Sequence, residues 1–163
     1  MSRLEWIESK ILNAEQLQKK LALWRFKNEK IVFTNGCFDI LHPGHIKVLT
    51  EASEFGDKLI VGLNADSSVK ALKGNNRPIM NENDRALLLA ALHVVDAVVL
   101  FSEETPKNLI ETIAPQVLVK GGDYAIENIV GADYVLQHGG EVKTIVLAAG
   151  HSTTNIEERL KGK

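Results

Sequence analysis

Ile31-Val32-Phe33-Thr34-Asn35-Gly36-Cys37-Phe38-Asp39-Ile40-Leu41-His42-Pro43-Gly44-His45 is a strand, a turn and a helix start written in one line. Its apolar opening is rich in β-branched and aromatic residues, and Asn35-Gly36 ends it. Pro43 suits the first turn of a helix, because its missing N–H has no partner to lose there. The helix then expected over 45–55 sets Ile46, Leu49 and Ala52 on one stripe and stops at Gly56.

Working outward, the same strand signature returns four times. Leu59-Ile60-Val61-Gly62-Leu63, Ala97-Val98-Val99-Leu100-Phe101, Val117-Leu118-Val119 and residues 142–147 are nearly continuous apolar runs. Such runs fit strands covered on both faces. Helical patterns separate them. Asn81 or Asn83 can cap a helix through Leu87, Leu88 and Ala91. Thr105 followed by Pro106 reads as a cap and first-turn proline ahead of Leu109, Ile110 and Ile113. Gly139-Gly140 closes the next helical stretch. Before the first strand, Asn13 and Gln16 have capping-box spacing, and Leu17, Leu21 and Trp24 share a face. This alternation predicts an α/β fold: one open parallel sheet with helices on both faces.

The 163 residues suffice for one domain with a core, with 1–28 as a helical extension packed on it. A net charge of −2 gives no whole-molecule attraction to nucleic acid or anionic membranes, so any phosphate must be held locally. Cys37 stands alone, which excludes an internal disulfide and a multi-cysteine zinc site and suits a reducing compartment. Glu5 and Glu8 near the N-terminus argue against a signal peptide, and no apolar run reaches the roughly 18 residues of a membrane span. A cytoplasmic protein is the expectation.

In open parallel sheets ligands bind beyond the carboxyl ends of the strands. There the chain places 35–45, then Asn64-Ala65-Asp66-Ser67-Ser68, then Lys120-Gly121-Gly122-Asp123-Tyr124, and finally Gly150-His151-Ser152-Thr153-Thr154-Asn155. His42 and His45 flank a helix start whose free N–H groups attract anions, and Gly44 lets a phosphate approach the backbone. The plainer alternative is one capping and one packed histidine. No third ligand lies at metal-binding spacing from the pair. Ser152, Thr153 and Thr154 precede a last helical stretch; one hydroxyl suffices for a cap, and three can hold a polyphosphate. Gly121-Gly122 is either a tight turn or a close approach to a flat base, with Asp123 able to accept from ribose hydroxyls. Residues 73–83 are the longest polar, turn-rich stretch and the best candidate for a mobile loop over a site. In it Lys73 and Arg77 are the cations placed to meet phosphates, while Arg85 on the next helix can equally make a structural ion pair. Cys37 reads as a small buried thiol rather than a nucleophile.

Together these residues resemble the nucleotidylyltransferase superfamily, with its H-x-G-H motif and late S-T-T segment. The blocks 33–42, Leu72-Lys73-Gly74 with Arg77-Pro78, 118–124, 139–142 and 152–156 are similar to the D-glycero-β-D-manno-heptose 1-phosphate adenylyltransferase family, in its stand-alone form without a sugar-kinase domain. The resemblance covers about 12–160. It implies a Rossmann-like five-stranded sheet in the order 3-2-1-4-5, Mg²⁺ bound with ATP, a sugar 1-phosphate acceptor and a homodimer. It also implies His42, His45 and Lys73 as catalytic groups on the triphosphate. Asn35, Gly36, Cys37, Phe38, Gly44, Lys120, Gly121, Asp123 and Tyr124 would border the nucleotide, and Ser152, Thr153 and Thr154 the departing pyrophosphate. Asp39, Asn64, Arg77 and Arg85 would lie toward the acceptor. Related glycerol-3-phosphate cytidylyltransferases carry an arginine where this chain has Leu147, Ala148 and Ala149, and lack a lysine equivalent to Lys120.

AMP transfer from ATP to the heptose phosphate is therefore the expectation. GTP- or CTP-dependent transfer and a non-catalytic nucleotide-binding module are the alternatives. No G-x-G-x-x-G follows a strand and no P-loop is present, which removes nicotinamide-dependent and P-loop readings.

Overall fold

The computed structural model describes residues 1–146. Its elements run α1 Arg3–Glu8, α2 Ala14–Phe26, β1 Ile31–Gly36, α3 Pro43–Ser53, β2 Lys58–Asn64, α4 Asp66–Lys73 and α5 Glu82–Ala91. They continue with β3 Ala97–Phe101, α6 Lys107–Ile113, β4 Val117–Gly121, α7 Ala132–Gln137 and β5 Glu141–Ile145, with a 3-10 turn at Ile126–Asn128. The sheet is parallel throughout, in the order β3-β2-β1-β4-β5. Strand order reverses between β1 and β4, so their carboxyl ends border the crevice where ligands of such sheets bind.

Alternation within the strands builds two cores. Ile31, Phe33, Ile60, Val99 and Leu118 face one way, onto Leu17, Leu21 and Trp24 of α2, Ile110 and Ile113 of α6 and Val135 of α7. Val32, Leu59, Val61, Val98 and Val119 face the other way, onto Leu49 and Ala52 of α3 and Leu89 and Ala90 of α5. Each fully buried aliphatic side chain contributes about 1.5–3 kcal/mol relative to exposure. The Asn13–Gln16 capping box forms as expected, with reciprocal bonds of 2.9 Å.

Several local expectations need correction. In α3 the buried face is Val48, Leu49 and Ala52, whereas Ile46 is 40% exposed. That helix ends at Ser53, and Gly56 serves a different purpose: a Cβ there would lie 2.6 Å from the Lys30 carbonyl oxygen. Close packing against the approach to β1 demands the glycine. Asn81, not Asn83, caps α5, and the buried face is Ala86, Leu89 and Ala90 while Leu88 is 41% exposed. Pro106 itself occupies the N-cap position of α6, with no side-chain cap from Thr105. The sequence gives no hint that the segment between α1 and α2 extends the sheet. Leu12 donates to the Val98 carbonyl at 2.9 Å and Val98 to the Lys10 carbonyl at 2.8 Å, so residues 10–12 cover the β3 edge. No described helix is long and apolar enough to cross a membrane.

Candidate active site

The turn after β1 is strained. Phe38 has φ 46°, a left-handed conformation that costs a non-glycine residue about 1–2 kcal/mol. Two features hold it there. Arg85 Nη1 donates to the Cys37 carbonyl at 2.7 Å, and the next residue, Asp39, is anchored by its carboxylate. The Phe38 ring, 7% exposed, packs over Gly36, where a Cβ would be 3.1 Å from Cε2. It meets the His45 ring edge-on, centroids 5.1 Å apart.

His42 and His45 both stand at the start of α3. His42 is the N-cap: its Nδ1 accepts from Gly44 N–H at 3.1 Å, which leaves the neutral ring's proton on Nε2. The His45 ring stacks on it at 3.8 Å between centroids, with a tilt of 24°. Burial pushes the His45 pKa down to about 4, aided by His42 and the Lys73 charge and partly opposed by the Ile40 carbonyl. At neutral pH it is an uncharged donor–acceptor ring beside a helix N-terminus. Its Nδ1 is buried and makes no hydrogen bond within the described residues.

Around His45 lies a cavity of about 170 Å³, which gathers Asn35, Gly36, Cys37, Phe38, Asp39, Lys73, Lys120 and Gly121. A second cavity of about 220 Å³ shares Asn35 and Lys120 and is closed by Tyr124, Pro106, Asn128, Ile129 and Val130. Together they reach the lower end of the size range of small-molecule sites, roughly 300 Å³. Pro106 and 128–130 were not legible as site residues; only the folded chain brings the 3-10 turn alongside β1. Gly122 has φ 127°, and a Cβ there would strike the Tyr124 ring at 2.5 Å, so this glycine lets the ring fold back over the turn. The Lys120 ammonium stands 5.8 Å from that ring centroid. Burial lowers the Lys120 pKa, the nearby Cys37 opposes this, and no ion pair satisfies the lysine among the described residues.

Three residues expected near the acceptor are each engaged within the protein. Arg85 is 0% exposed and fully engaged: Nε donates to Met80 O at 3.0 Å, Nη1 to Cys37 O and Asn64 O at 2.7 and 2.8 Å, and Nη2 to Asp66 Oδ1 at 2.7 Å. Asn64 is buried, with its amide donating to Ser68 Oγ at 2.7 Å. Asp39 is 1% exposed, and both oxygens are taken: by Ile79 N–H at 2.9 and 2.8 Å, Met80 N–H at 2.9 Å and Arg77 Nε at 2.7 Å. These groups frame the site. Arg77 is thus tied to Asp39, Gly44 is buried in the first turn of α3, and Asp123 is exposed outside both cavities. Ser152, Thr153 and Thr154 lie outside the described residues.

Among the described residues no three His, Cys, Asp or Glu side chains gather as a metal cage, and Asp39 has no oxygen to spare. This donor set suits a divalent ion that arrives on a polyphosphate and keeps its waters. A larger groove of about 590 Å³ lies between α2, α6 and β3, but its lining holds no lysine, arginine or histidine for an anion.

A family model described as Cytidylyltransferase-like matches residues 33–159. Over 157 residues the chain is 54% identical to Bifunctional protein HldE of Nitrobacter hamburgensis, covering 96% of this chain and 32% of that protein. With Bifunctional protein HldE of Nitrobacter winogradskyi it shares 56% identity over 150 residues, 92% of this chain and 31% of the relative. The chain thus spans about a third of the length of these curated relatives. Among solved structures, a lipopolysaccharide core biosynthesis protein from Thermoplasma volcanium superposes with a TM-score of 0.58 at 31% identity, over 74% of this chain and 97% of that one. With the matched region running from β1 through every site residue above, the chain belongs to the cytidylyltransferase-like family.

Proposed function

We propose that this chain transfers AMP from ATP to D-glycero-β-D-manno-heptose 1-phosphate, releasing ADP-heptose and pyrophosphate. One observation carries the chemistry. His45, Lys73 and Lys120 line a single cavity beside a helix N-terminus, while the acidic side chain there, Asp39, has both oxygens filled by the protein. The cavity offers cations to an anion, and the Asp39 charge within it is already paired with Arg77. The similarity to HldE proteins and to a lipopolysaccharide core biosynthesis protein supports the choice of acceptor and product.

A sugar phosphate oxygen is already anionic, so it can attack the α-phosphorus without a general base. The bond from that phosphorus to the oxygen bridging the β-phosphate breaks, and its electron pair leaves with pyrophosphate. The protein's part is to align these groups in line and stabilise the charge that spreads over the oxygens. His45, neutral and preorganised by its stack on His42, offers a hydrogen bond to a phosphoryl oxygen. Lys73 and Lys120 supply positive charge in the same cavity. Mg²⁺ bound with ATP would neutralise part of the triphosphate charge. Tyr124, Ile129 and Val130 form the apolar side of the adjoining cavity, suited to a base.

The test is direct. Purified protein with Mg²⁺ and β-heptose 1-phosphate is given ATP, GTP or CTP, and a parallel series uses glycerol 3-phosphate; pyrophosphate and product mass are recorded. ADP-heptose in clear preference is the expected result. GDP- or CDP-heptose would overturn the base, and turnover only with glycerol 3-phosphate would overturn the acceptor. Nucleotide bound without turnover by any pair would make the chain a binding module.

A further inference from the structure

Residues 74–80, which follow Lys73 at the end of α4 and lead to α5, contain no buried side chain, and Ile79 is 57% exposed. Apolar packing therefore does not fix this strap. Two buried groups of opposite charge lace it to the turn after β1. Asp39 takes the N–H groups of Ile79 and Met80 and the Nε of Arg77, while Arg85 gives Nε to the Met80 carbonyl and Nη1 to the Cys37 carbonyl. The Met80 residue is thus gripped at both its N–H and its C=O. On the far side of the lacing stand the strained Phe38, against His45, and at the near end of the strap Lys73, which lines the same cavity.

We propose that Asp39 is a positioning residue for the reaction: it clamps the 77–80 strap so that Lys73 is held at the cavity facing His45. Asp39 itself is spent on the clamp and does not meet substrate. The proposal rests on the nucleotidyl-transfer reading of the site. In Asp39→Asn one oxygen becomes an NH₂ that faces N–H donors, so the lacing opens although size and shape are kept.

Three readouts on D39N, with circular dichroism as the control of folding, test the clamp. First, amide exchange at Ile79 and Met80 is expected to rise at least about 10-fold, a readout that needs no activity. Second, kcat is expected to fall about 10–100-fold while KM for ATP moves less than about 3-fold, because a displaced cation costs most when charge shifts to the leaving group. Third, in a Lys73→Ala background D39N should lower kcat less than about 3-fold further, since its effect passes through Lys73. Unchanged exchange at 79 and 80, or full additivity with Lys73→Ala, would overturn the proposal. Should D39N not fold, Arg77→Lys removes the Nε bond and keeps the charge; a smaller kcat loss that is likewise absorbed by Lys73→Ala is then expected, and additivity overturns it. Wild-type protein that turns over no acceptor, with D39N still loosening 79 and 80, would sink the reaction and leave the clamp standing.

Discussion

Arg85 and Lys120 are cations at the same end of one sheet, and the fold treats them in opposite ways. Arg85 is wholly buried, and its guanidinium is shared among three carbonyls and the Asp66 carboxylate. Lys120 is half-buried between two cavities, its pKa is depressed by burial, and no ion pair answers it among the described residues. Asp39 sides with Arg85, and His45, which lines the same cavity as Lys120, sides with Lys120. Charge alone does not mark a ligand-binding residue. Unspent hydrogen-bonding capacity does, because only groups the protein leaves unsatisfied gain from a phosphate.

The largest effect should fall on the satisfied side. Arg85→Met strands the Cys37, Asn64 and Met80 carbonyls and the Asp66 carboxylate, and is expected to cost about 3–5 kcal/mol. Urea unfolding measures it, and a cost under about 1 kcal/mol would break the framing half of the comparison. Next comes His45→Ala on the unsatisfied side. It should lower turnover about 10²-fold or more while leaving the unfolding midpoint and ATP binding close to wild type. Steady-state kinetics on a folded variant decide it; near-full turnover would remove His45 from the chemistry.

How far the sequence already showed this division depends on what each residue's role requires. Strand type, sheet polarity and the His42–Pro43–Gly44–His45 helix start follow from local patterning, and each appears where the apolar runs and Pro43 place it. Lys120 follows from its place at a strand end and Lys73 from the polar stretch 73–83, and the two are brought to one cavity. The partners of Asp39 and Asn64 did not follow, and for Arg85 the structural ion pair seen with Asp66 is one of two readings the sequence leaves open. Their partners lie from 4 to 48 positions away, and a polar residue's exposure depends on which distant carbonyls and amides fill its valence. Ile46 and Leu88 mislead for a related reason: a helical stripe has two plausible edges, and only the sheet beneath selects one. Pro106 and 128–130 carry no chemical signature of their own, so nothing short of the fold assigns them to a cavity wall.

Lys120 sharpens the comparison because its two effects should have opposite signs. Lys120→Met removes a desolvated charge that the free protein does not compensate, so stability is expected to rise by about 0.5–2 kcal/mol. Binding of ATP should weaken about 10-fold, since the ligand loses the cation that served both cavities. Calorimetric titration and thermal unfolding on one preparation give both numbers. A variant that loses stability along with affinity would show that Lys120 belongs to the frame.

The smallest effect is the most diagnostic of His45. Its ring has a pKa of about 4 when folded, against an ordinary value near 6.5. As pH falls below about 6.5 the unfolded chain takes up a proton that the folded chain refuses until about 4. The contribution of His45 to stability is therefore complete above about 6.5, declines across that window, and falls no further below it. Burial, His42 and Lys73 set the low value, and a bound polyphosphate opposes the last two, so pyrophosphate should raise the midpoint by on the order of one unit. Proton titration of the His45 Cε1–H resonance from pH 8 to 4, with and without pyrophosphate, follows the ring itself. A midpoint near 4 that moves up on binding marks a group held neutral for an anion. A free midpoint near 6.5 would mean that water already satisfies the ring, and His45 would leave the unsatisfied side of the comparison.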